Sequence, residues 1–372
     1  MTVYIIAELI VFVLAYPFCI YKPNKIKNIA YVCLVFLYLF GLSCFRYGIG
    51  NDYYSYINIF NRAAYVDWKS CFSDDIEFGY MLLCKVVSLF TTNYRVMHGI
   101  MAFLILAPTG YTIAKYSKNV WLSCHLYLCL TFYYSSMNFI RQTMAATMLF
   151  VAYRLFIERK TVPFLIVVLL ASTIHSSVLI MIPIYLIIAY VKPTTKVLSG
   201  GMAILILLYL TSNAILEKIS ELLPRYSGYL NTKYIQNGLG QQYLIIPALY
   251  MLLMLYAYHE AGYNHDRKNM IFVNTSVVNF GIWFFITKHF ILERFSIFVY
   301  IFVMLVVPDV MDYLKGYFIQ EGKEKSGRVK YSIIMMIIIL SVFAYNIYGM
   351  VSGFHGTFPY QTYQDFLNYM ED

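Results

Sequence analysis

The sequence predicts an all-α protein that crosses a membrane many times, because it is poor in charge and its apolar residues come in helix-length blocks. Hydrophobic residues make up 60% of the chain and charged residues 13%. A soluble protein carries about 25% charged residues, which it needs to cover its surface. The blocks approach the roughly 20 residues with which a helix crosses a hydrocarbon core of about 30 Å. The predicted class is therefore a polytopic membrane protein.

Twelve apolar segments predict about twelve transmembrane helices. They lie at residues 3–21, 29–45, 96–114, 119–136, 139–157, 162–174, 176–191, 197–215, 242–259, 270–287, 291–313 and 331–350. A further segment at 77–91 is short and carries Glu77, Lys85 and Ser88, so we expect a half-helix there that does not cross the membrane. No soluble domain or tandem repeat separates the segments, and residues 1–372 are predicted to form a single integral membrane domain.

Lysine and arginine predict how the chain is oriented, because loops rich in these residues stay in the cytoplasm. With every basic cluster in the cytoplasm, both termini lie outside, together with the loops 46–76 and 216–241 and the tail 351–372. The clusters are Lys22 to Lys27, Lys115 with Lys118, Arg154 to Lys160, Lys192 with Lys196, Arg267 with Lys268, and Lys315 to Lys330. The net charge of +9 has the same cause, and no basic module for nucleic acid is present. The cytoplasmic loops lack a nucleotide-binding loop, so we expect the chemistry on the outer face or within the membrane.

Neither a metal nor a cofactor is predicted. The histidines and carboxylates form no compact set along the sequence, and the cysteines lack metal-ligand spacing. Most cysteines lie in apolar stretches, where the residue behaves as a small hydrophobe; these are Cys19, Cys33, Cys84, Cys124 and Cys129. Glu8, within the first helix, is expected near the outer headgroups and receives no role.

The first candidate site is the run from Arg46 to Tyr56, directly after the second predicted helix. Its two glycines allow a sharp turn close to a ligand, and Arg46 and Asp52 flank that turn. Tyrosines such as Tyr53 offer hydroxyls and ring faces suited to sugars. An interfacial belt of tyrosines with a snorkelling arginine is the alternative, but it leaves the paired glycines and the aspartate unexplained.

Two further candidates lie in helices. Glu77 and Tyr80 open the half-helix and share one face by their spacing, although a carboxylate at a helix N-terminus is also a capping preference. Asn138, Arg141 and Gln142 form a polar stripe on a spanning helix. An arginine there is costly unless it meets a counter-charge or an anionic ligand, and its guanidinium fits phosphate in a two-pronged manner. A structural ion pair is the alternative.

The last candidates are His175 and the segment 288–300. His175 lies where a hydrophobic hairpin turns on the outer side, as either a site residue or a hydrogen-bonded packing residue. Glu293 and Arg294 open a helix that carries Tyr300, and two more basic residues precede them. This cluster fits either a diphosphate site or ordinary juxtamembrane charge.

Together these motifs resemble the EpsG-like family of Wzy-type polysaccharide polymerases. The resemblance extends over nearly the whole chain in the expected order. It is carried by R-x-G-x-G-x-D-Y-x-x-Y at Arg46 to Tyr56, E-x-G-Y at Glu77 to Tyr80, N-x-x-R-Q-x-x-A at Asn138 to Ala145, His-Ser-Ser at 175–177, Arg294 with Tyr300, and Pro359 with Tyr360.

The resemblance implies a fold like that of the large, GT-C-like membrane glycosyltransferases that use lipid-linked donors. It places the chain in the bacterial cytoplasmic (inner) membrane, with the active site facing the periplasm or exterior. The implied reaction moves a growing glycan from polyprenyl diphosphate to a hydroxyl of the next lipid-linked repeat unit. A flippase and a chain-length regulator are expected partners besides the membrane lipids.

The site residues follow from the charge that develops on the diphosphate leaving group, which needs positive charge beside it. Expected diphosphate or substrate contacts are Arg46, Arg141, Gln142, Arg294, Tyr53, Tyr56, Tyr80 and Tyr300. The acceptor hydroxyl also needs a base. The candidates are Asp52, which ranks first, Glu77 and His175.

Three other functions stay open. A flippase for the same lipid-linked sugars would also carry buried arginines, but internal repeats and midplane charges are not found. A ligase that passes a finished glycan to another acceptor shares the chemistry. An acyltransferase would use His175, yet no partner aspartate stands beside it at the expected spacing.

Overall fold

The computed structural model describes most of the chain, namely residues 2–222, 238–321 and 324–365. Residues 223–237 of the predicted outer loop 216–241, and residues 366–372 of the predicted tail, lie outside the described residues. Helices make up 81% of the chain, and the described part contains no strand. The predicted all-α class is therefore confirmed.

Seventeen α-helices are present in the described ranges. Their bounds are α1 Thr2–Ala15, α2 Lys25–Phe45, α3 Tyr53–Tyr65, α4 Phe78–Ser88, α5 Tyr94–Tyr116, α6 Val120–Cys129, α7 Phe132–Asn138, α8 Ile140–Val151, α9 Tyr153–Ile157, α10 Thr161–Ser172, α11 Met181–Tyr190, α12 Thr195–Leu222, α13 Ile245–His259, α14 Arg267–Ile286, α15 Glu293–Tyr300, α16 Val303–Glu321 and α17 Glu324–Val351. Helix α1 continues as a π-helical turn over Tyr16–Ile20.

Seven of the described helices are long and apolar enough to cross a membrane. They are α1 with its π-helical turn, α2, α5, α12, α13 with the turn before it, α14 and α17. Helices α15 and α16 pass the same test as a pair, which gives up to eight candidates. These helices support a multi-pass membrane protein, whereas the count of about twelve spans stays a prediction.

Four predicted segments are shorter helices in the structure, namely 119–136, 139–157, 162–174 and 176–191. The first is interrupted at Thr131, the second is interrupted at Ala152, and a further break at Phe139 separates α7 from α8. Thr131 adopts a left-handed conformation with φ 66°, which is uncommon for any residue other than glycine. Phe139 has φ −99° and ψ 59°, outside the helical region. The breaks leave α7 and α8 as short pieces. Asn138 of α7 contacts the turn after α2, and Arg141 of α8 contacts Glu77.

The predicted half-helix at 77–91 is α4, which has 11 residues. At 1.5 Å per residue such a helix is about 16 Å long, roughly half of a hydrocarbon core. Helices α3 and α4 pack against α5 and α8 through an apolar core that includes Phe60, Met81, Met101 and Met144. This core holds the N-termini of α3 and α4 beside α8.

The described chain divides into two compact units. The first consists of Met1–Arg154, Thr161–Leu179 and Ile301–Asp372, and the second of Leu155–Lys160 and Ile180–Tyr300. In the first unit, α7 is buried along its whole length, and every residue of α6 except Trp121 is buried. In the second, α14 is the most buried membrane-span candidate. That the whole chain forms one integral membrane domain stays a prediction.

Candidate functional site

A tight turn joins α2 to α3 and lies against the end of α7. Gly48 and Gly50 have φ of 65° and 97°, a region that glycine enters without strain. A Cβ on Gly50 would lie 2.8 Å from the carbonyl oxygen of Met137, so only glycine fits this contact. The backbone N–H of Asp52 donates to Oδ1 of Asn138 at 3.1 Å. The turn predicted from the R-x-G-x-G-x-D run is therefore present and is held onto α7.

Arg46 opens this turn and is buried, with 6% of its surface exposed. Its Nε has no hydrogen-bond partner, and no carboxylate pairs with it among the residues that the structure describes. Its neighbours are instead four tyrosines, namely Tyr4, Tyr53, Tyr133 and Tyr360. Burial lowers the pKa of Arg46, and the tyrosines oppose that shift. Because arginine stays protonated in proteins, the turn presents an uncompensated positive charge.

The segment that follows α17 covers the Arg46 turn. The backbone N–H groups of Tyr47 and Gly50 donate to the carbonyl oxygens of Gln361 and Gly356, each at 2.9 Å. A Cβ on Gly356 would meet the side chain of Asn51 at 2.2 Å. We call residues 353–363 the C-terminal strap, since they lie across the turn and form one of its walls.

Two tyrosine hydroxyls and a histidine fix the strap in place. Tyr360 Oη donates to the carbonyl oxygen of Leu42 at 2.8 Å, and Tyr4 Oη donates to that of Thr357 at 2.9 Å. The His355 ring is buried, which lowers its pKa to about 3 and keeps it neutral. Burial also raises the pKa of Tyr360 to about 12, against the charge of Arg46. These groups are therefore hydrogen-bonding rather than charged neighbours of Arg46.

A second cluster forms around Glu77, at the N-terminus of α4. Nη1 of Arg141 donates to Glu77 Oε2. The backbone N–H and the hydroxyl of Ser176 donate to Glu77 Oε1 at 2.8 and 2.9 Å. His175 Nδ1 lies 3.4 Å from the same oxygen. Both oxygens of the carboxylate are thus occupied, and three segments far apart in sequence meet there.

Gly79 explains why these segments meet. Its N–H donates to the carbonyl oxygen of Thr173 at 2.9 Å, and a Cβ would lie 2.4 Å from Thr173 Oγ1. Glycine thus allows the first turn of α4 to touch the end of α10. This contact brings Glu77 to His175 and Ser176. It also explains why the E-x-G-Y motif has a glycine at position 79.

The pKa of Glu77 lies well below its usual value. Burial alone would raise this pKa, but the His175 ring, the Ser176 N–H and the charge of Arg141 together outweigh burial. The carboxylate is therefore ionised throughout the neutral range. A carboxylate so stabilised accepts a proton poorly, which bears on the choice of base.

Arg141 lies between Glu77 and two tyrosines of the core. Its backbone N–H donates to Tyr56 Oη at 3.4 Å, and its guanidinium lies 5.9 Å from the centre of the Tyr80 ring. Its side chain keeps 21% of its surface exposed, and the neighbouring Gln142 is buried. Arg141 is accordingly held by a carboxylate and an aromatic face while part of it stays accessible.

The two clusters lie along the N-terminal half of α3. Tyr53, at its first position, neighbours Arg46, and Tyr56, one turn later, contacts Arg141. The break at Phe139 similarly places Asn138 at the Arg46 turn and Arg141 at Glu77. Most residues predicted for the site in the first half of the chain are therefore brought together.

Arg294 and Tyr300 lie in the second unit. Arg294 is exposed at the start of α15, whereas Tyr300 is buried with its ring centre 5.9 Å from that of Trp283. Their participation in the diphosphate site stays a prediction.

Tyr4 and Tyr133 were not singled out from the sequence. Asn138, Ser176 and Tyr360 belong to motifs that were named there, but no contact was assigned to them. Asn138 had a signal, since it begins the N-x-x-R-Q run. Tyr133 had none, because the chain contains 38 tyrosines and nothing distinguishes one of them.

Comparison with known families identifies the chain. The model of the EpsG family matches residues 29–362, which include the Arg46 turn, Glu77, Arg141 and most of the strap. Neither a curated protein nor a solved structure matches the chain significantly. The family match covers well over half of the sequence, so this membrane protein of polysaccharide biosynthesis belongs to the EpsG family, the family of Wzy-type polysaccharide polymerases.

Proposed function

We propose that this protein polymerises lipid-linked oligosaccharides on the outer face of the bacterial cytoplasmic membrane. It transfers a growing glycan from polyprenyl diphosphate to a hydroxyl of the next lipid-linked repeat unit. The observation that carries the proposal is Arg46, a buried guanidinium that no carboxylate neutralises in the described part of the chain. A buried unpaired charge costs several kcal/mol, and a diphosphate is an anion that would offset this cost.

The chemistry follows from the positions of the charged groups. The acceptor hydroxyl loses its proton to a base, and its oxygen forms a bond to the anomeric carbon of the donor glycan. The bond from that carbon to the diphosphate oxygen breaks, and the electron pair stays on the diphosphate. Arg46 and Arg141 stabilise the charge that develops on this leaving group, as preorganised positive groups do in a site that excludes water.

Asp52 is the base that the geometry favours. Both oxygens of Glu77 already accept hydrogen bonds, so Glu77 holds Arg141 in position instead of taking a proton. Asp52 directly precedes α3, beside Tyr53 and near Tyr56, and thus lies on the stretch between the two arginines. His175 faces Glu77 through Nδ1 and remains the second candidate, because its Nε2 is the ring atom left to accept a proton.

The tyrosines and the strap complete the proposed substrate site. Tyr53, Tyr56, Tyr80 and Gln142 are the further substrate contacts that we propose, and all four are buried beside the two arginines. We further propose about twelve spans in a GT-C-like arrangement, with Arg294 and Tyr300 contributing to diphosphate binding. A flippase would deliver the substrate and a chain-length regulator would limit the product.

A reconstituted reaction tests the proposal. The purified protein in lipid vesicles is given a single lipid-linked repeat unit, and the products are separated by length. A ladder of polymers in the absence of any other protein is the expected result. Movement of the substrate across the bilayer without a ladder would identify a flippase instead, and transfer only to an unlike acceptor would identify a ligase.

A further inference from the structure

Three side chains of metal-ligating types converge in the interior of the first unit. Glu8, His125 and Cys129 are each 3% exposed or less. His125 Nδ1 lies 3.0 Å from Glu8 Oε2, and Cys129 Sγ lies 3.1 Å from Glu8 Oε1. The sulfur lies 3.6 Å from the same ring nitrogen. All three donor atoms fall within 4.8 Å of one another, which is the spread of ligands around one ion.

The helices set this convergence up. His125 and Cys129 are four residues apart on α6, so they project from one face of that helix. Glu8 reaches them from α1, which packs against α6. The sequence placed Glu8 near the outer headgroups, but the structure buries it against α6. Such a carboxylate in an apolar interior needs a positive partner.

Two residues of α17 lie beside the three side chains. His125 Nε2 lies 3.3 Å from the carbonyl oxygen of Ile339. A metal-bound histidine commonly donates its second ring N–H to such a carbonyl, and this leaves Nδ1 of His125 to bind the metal. The buried Asn346 side chain lies beside Cys129. Its amide oxygen and nitrogen make no hydrogen bond of normal geometry within the described residues. The Asn346 amide is a further group of suitable type beside the sulfur.

We propose that Glu8, His125 and Cys129 bind a divalent transition metal of the zinc class, with Asn346 beside the remaining position. One thiolate, one imidazole and one carboxylate are ligand types that zinc accepts, whereas Mg²⁺ and Ca²⁺ require oxygen ligands. The charges also balance, because a thiolate and a carboxylate neutralise a doubly charged ion. Binding releases the thiol proton of Cys129 and the proton that His125 and Glu8 share.

A metal here would join α1, α6 and α17. Tyr4 lies one helical turn before Glu8, and its hydroxyl holds the C-terminal strap at Thr357. Fixing α1 to α6 would therefore hold the strap over the Arg46 turn. This metal site would form whether or not the protein polymerises glycans.

Metal content and cobalt spectra test the site together. The detergent-purified full chain is stripped with chelator, given Zn²⁺ alone and desalted, and we expect about one zinc ion per chain. Cys129→Ser and His125→Gln are expected to lower this value about tenfold. Cys124→Ser is the matched control, because Cys124 is equally buried on the same helix and belongs to no ligand set. With Co²⁺ in place of zinc, the unaltered chain is expected to show a thiolate-to-metal absorption band.

Two results would overturn the site. One is an unaltered chain that binds less than about a tenth of an equivalent of zinc, which would leave a metal-free ion pair between Glu8 and His125. The other is bound Co²⁺ without a thiolate band, which would remove Cys129 from the ligands. The cobalt measurement uses the unaltered chain and therefore does not depend on whether the variants fold.

Discussion

The two arginines of the first unit stand in opposite environments. Arg46 is buried and has no carboxylate partner in the described part of the chain. Arg141 keeps about a fifth of its side chain exposed and is paired with Glu77. Arg46 is enclosed by tyrosines and the strap, whereas Arg141 is held by a carboxylate that two further residues fix in place.

The different surroundings of Arg46 and Arg141 indicate different roles, one in binding a ligand and the other in positioning. A buried charge without a partner lowers the stability of the free protein, so its retention points to a ligand that supplies the opposite charge. A paired arginine is already neutralised, and its partner determines where it points. We infer that Arg46 is the primary anchor for the diphosphate and that Arg141 is directed toward the reacting atoms by Glu77.

The largest expected effect is that of Arg46→Met. This change removes the charge but keeps a side chain of similar length. We expect the polymerisation rate to fall about 100-fold or more, as it does when a group that stabilises a leaving charge is removed. Thermal stability should stay equal or rise, because an uncompensated buried charge is lost. The polymerisation rate in vesicles tests the first expectation, and the melting temperature tests the second. A marked fall in melting temperature would show that Arg46 has a structural partner.

Glu77→Gln should act in the opposite sense on stability. It leaves Arg141 without its counter-charge, and the expected cost is about 1–2 kcal/mol, since the pair is partly exposed. Thermal unfolding of Glu77→Gln, Arg141→Gln and the double variant measures this coupling. The double variant should lose less stability than the two single losses added together, and strict additivity would rule the pairing out.

Arg141→Lys tests whether geometry matters beyond charge. Lysine keeps the positive charge near Glu77 but cannot make a two-pronged contact with phosphate. We expect normal protein level and about a tenfold loss of polymer. A polymer ladder of wild-type length in this variant would remove Arg141 from the site.

The stability contributed by Glu77 should depend on pH. Its folded-state pKa is depressed, so the contribution is fully present above the unfolded value of about 4.3 and is lost as pH falls below it. The melting temperatures of the unaltered chain and of Glu77→Gln should therefore differ at pH 7 and approach each other below about pH 4. A gap that stays constant over this range would contradict the ionised state of Glu77.

The smallest expected effect is that of Lys325→Ala, which serves as the control for charge in general. Lys325 is exposed on α17, in a basic cluster predicted to face the cytoplasm. Polymer length and amount should not change. A loss comparable to that of Arg141→Lys would mean that the assay responds to net charge instead of to the site.

Prediction from the sequence succeeded where a local backbone conformation requires a particular residue type or pattern. The glycines at 48 and 50 predicted a turn, and the structure gives both a positive φ. The short polar segment at 77–91 predicted a half-helix, and α4 is short. Hydropathy likewise predicted the long helices, because each of them is apolar over its own length.

Contacts between distant segments could not be predicted in this way. The meeting of Glu77 with His175 and Ser176 depends on the close approach of Gly79 to Thr173, which no local pattern reveals. The interruption at Thr131 was missed because threonine rarely adopts a left-handed conformation. Glu8 and Cys129 gave no metal signal, since their ligand geometry exists only after α1 has packed against α6.

The glycan profile of cells whose only copy carries Arg46→Met tests the central claim most directly, with the glycans resolved by length. We predict that the ladder disappears and that single repeat units remain on the surface, while the protein is present at its normal level. A ladder of wild-type length would contradict the role of Arg46. Complete absence of surface glycan, with lipid-linked units accumulating, would contradict polymerisation and point to a flippase or a ligase.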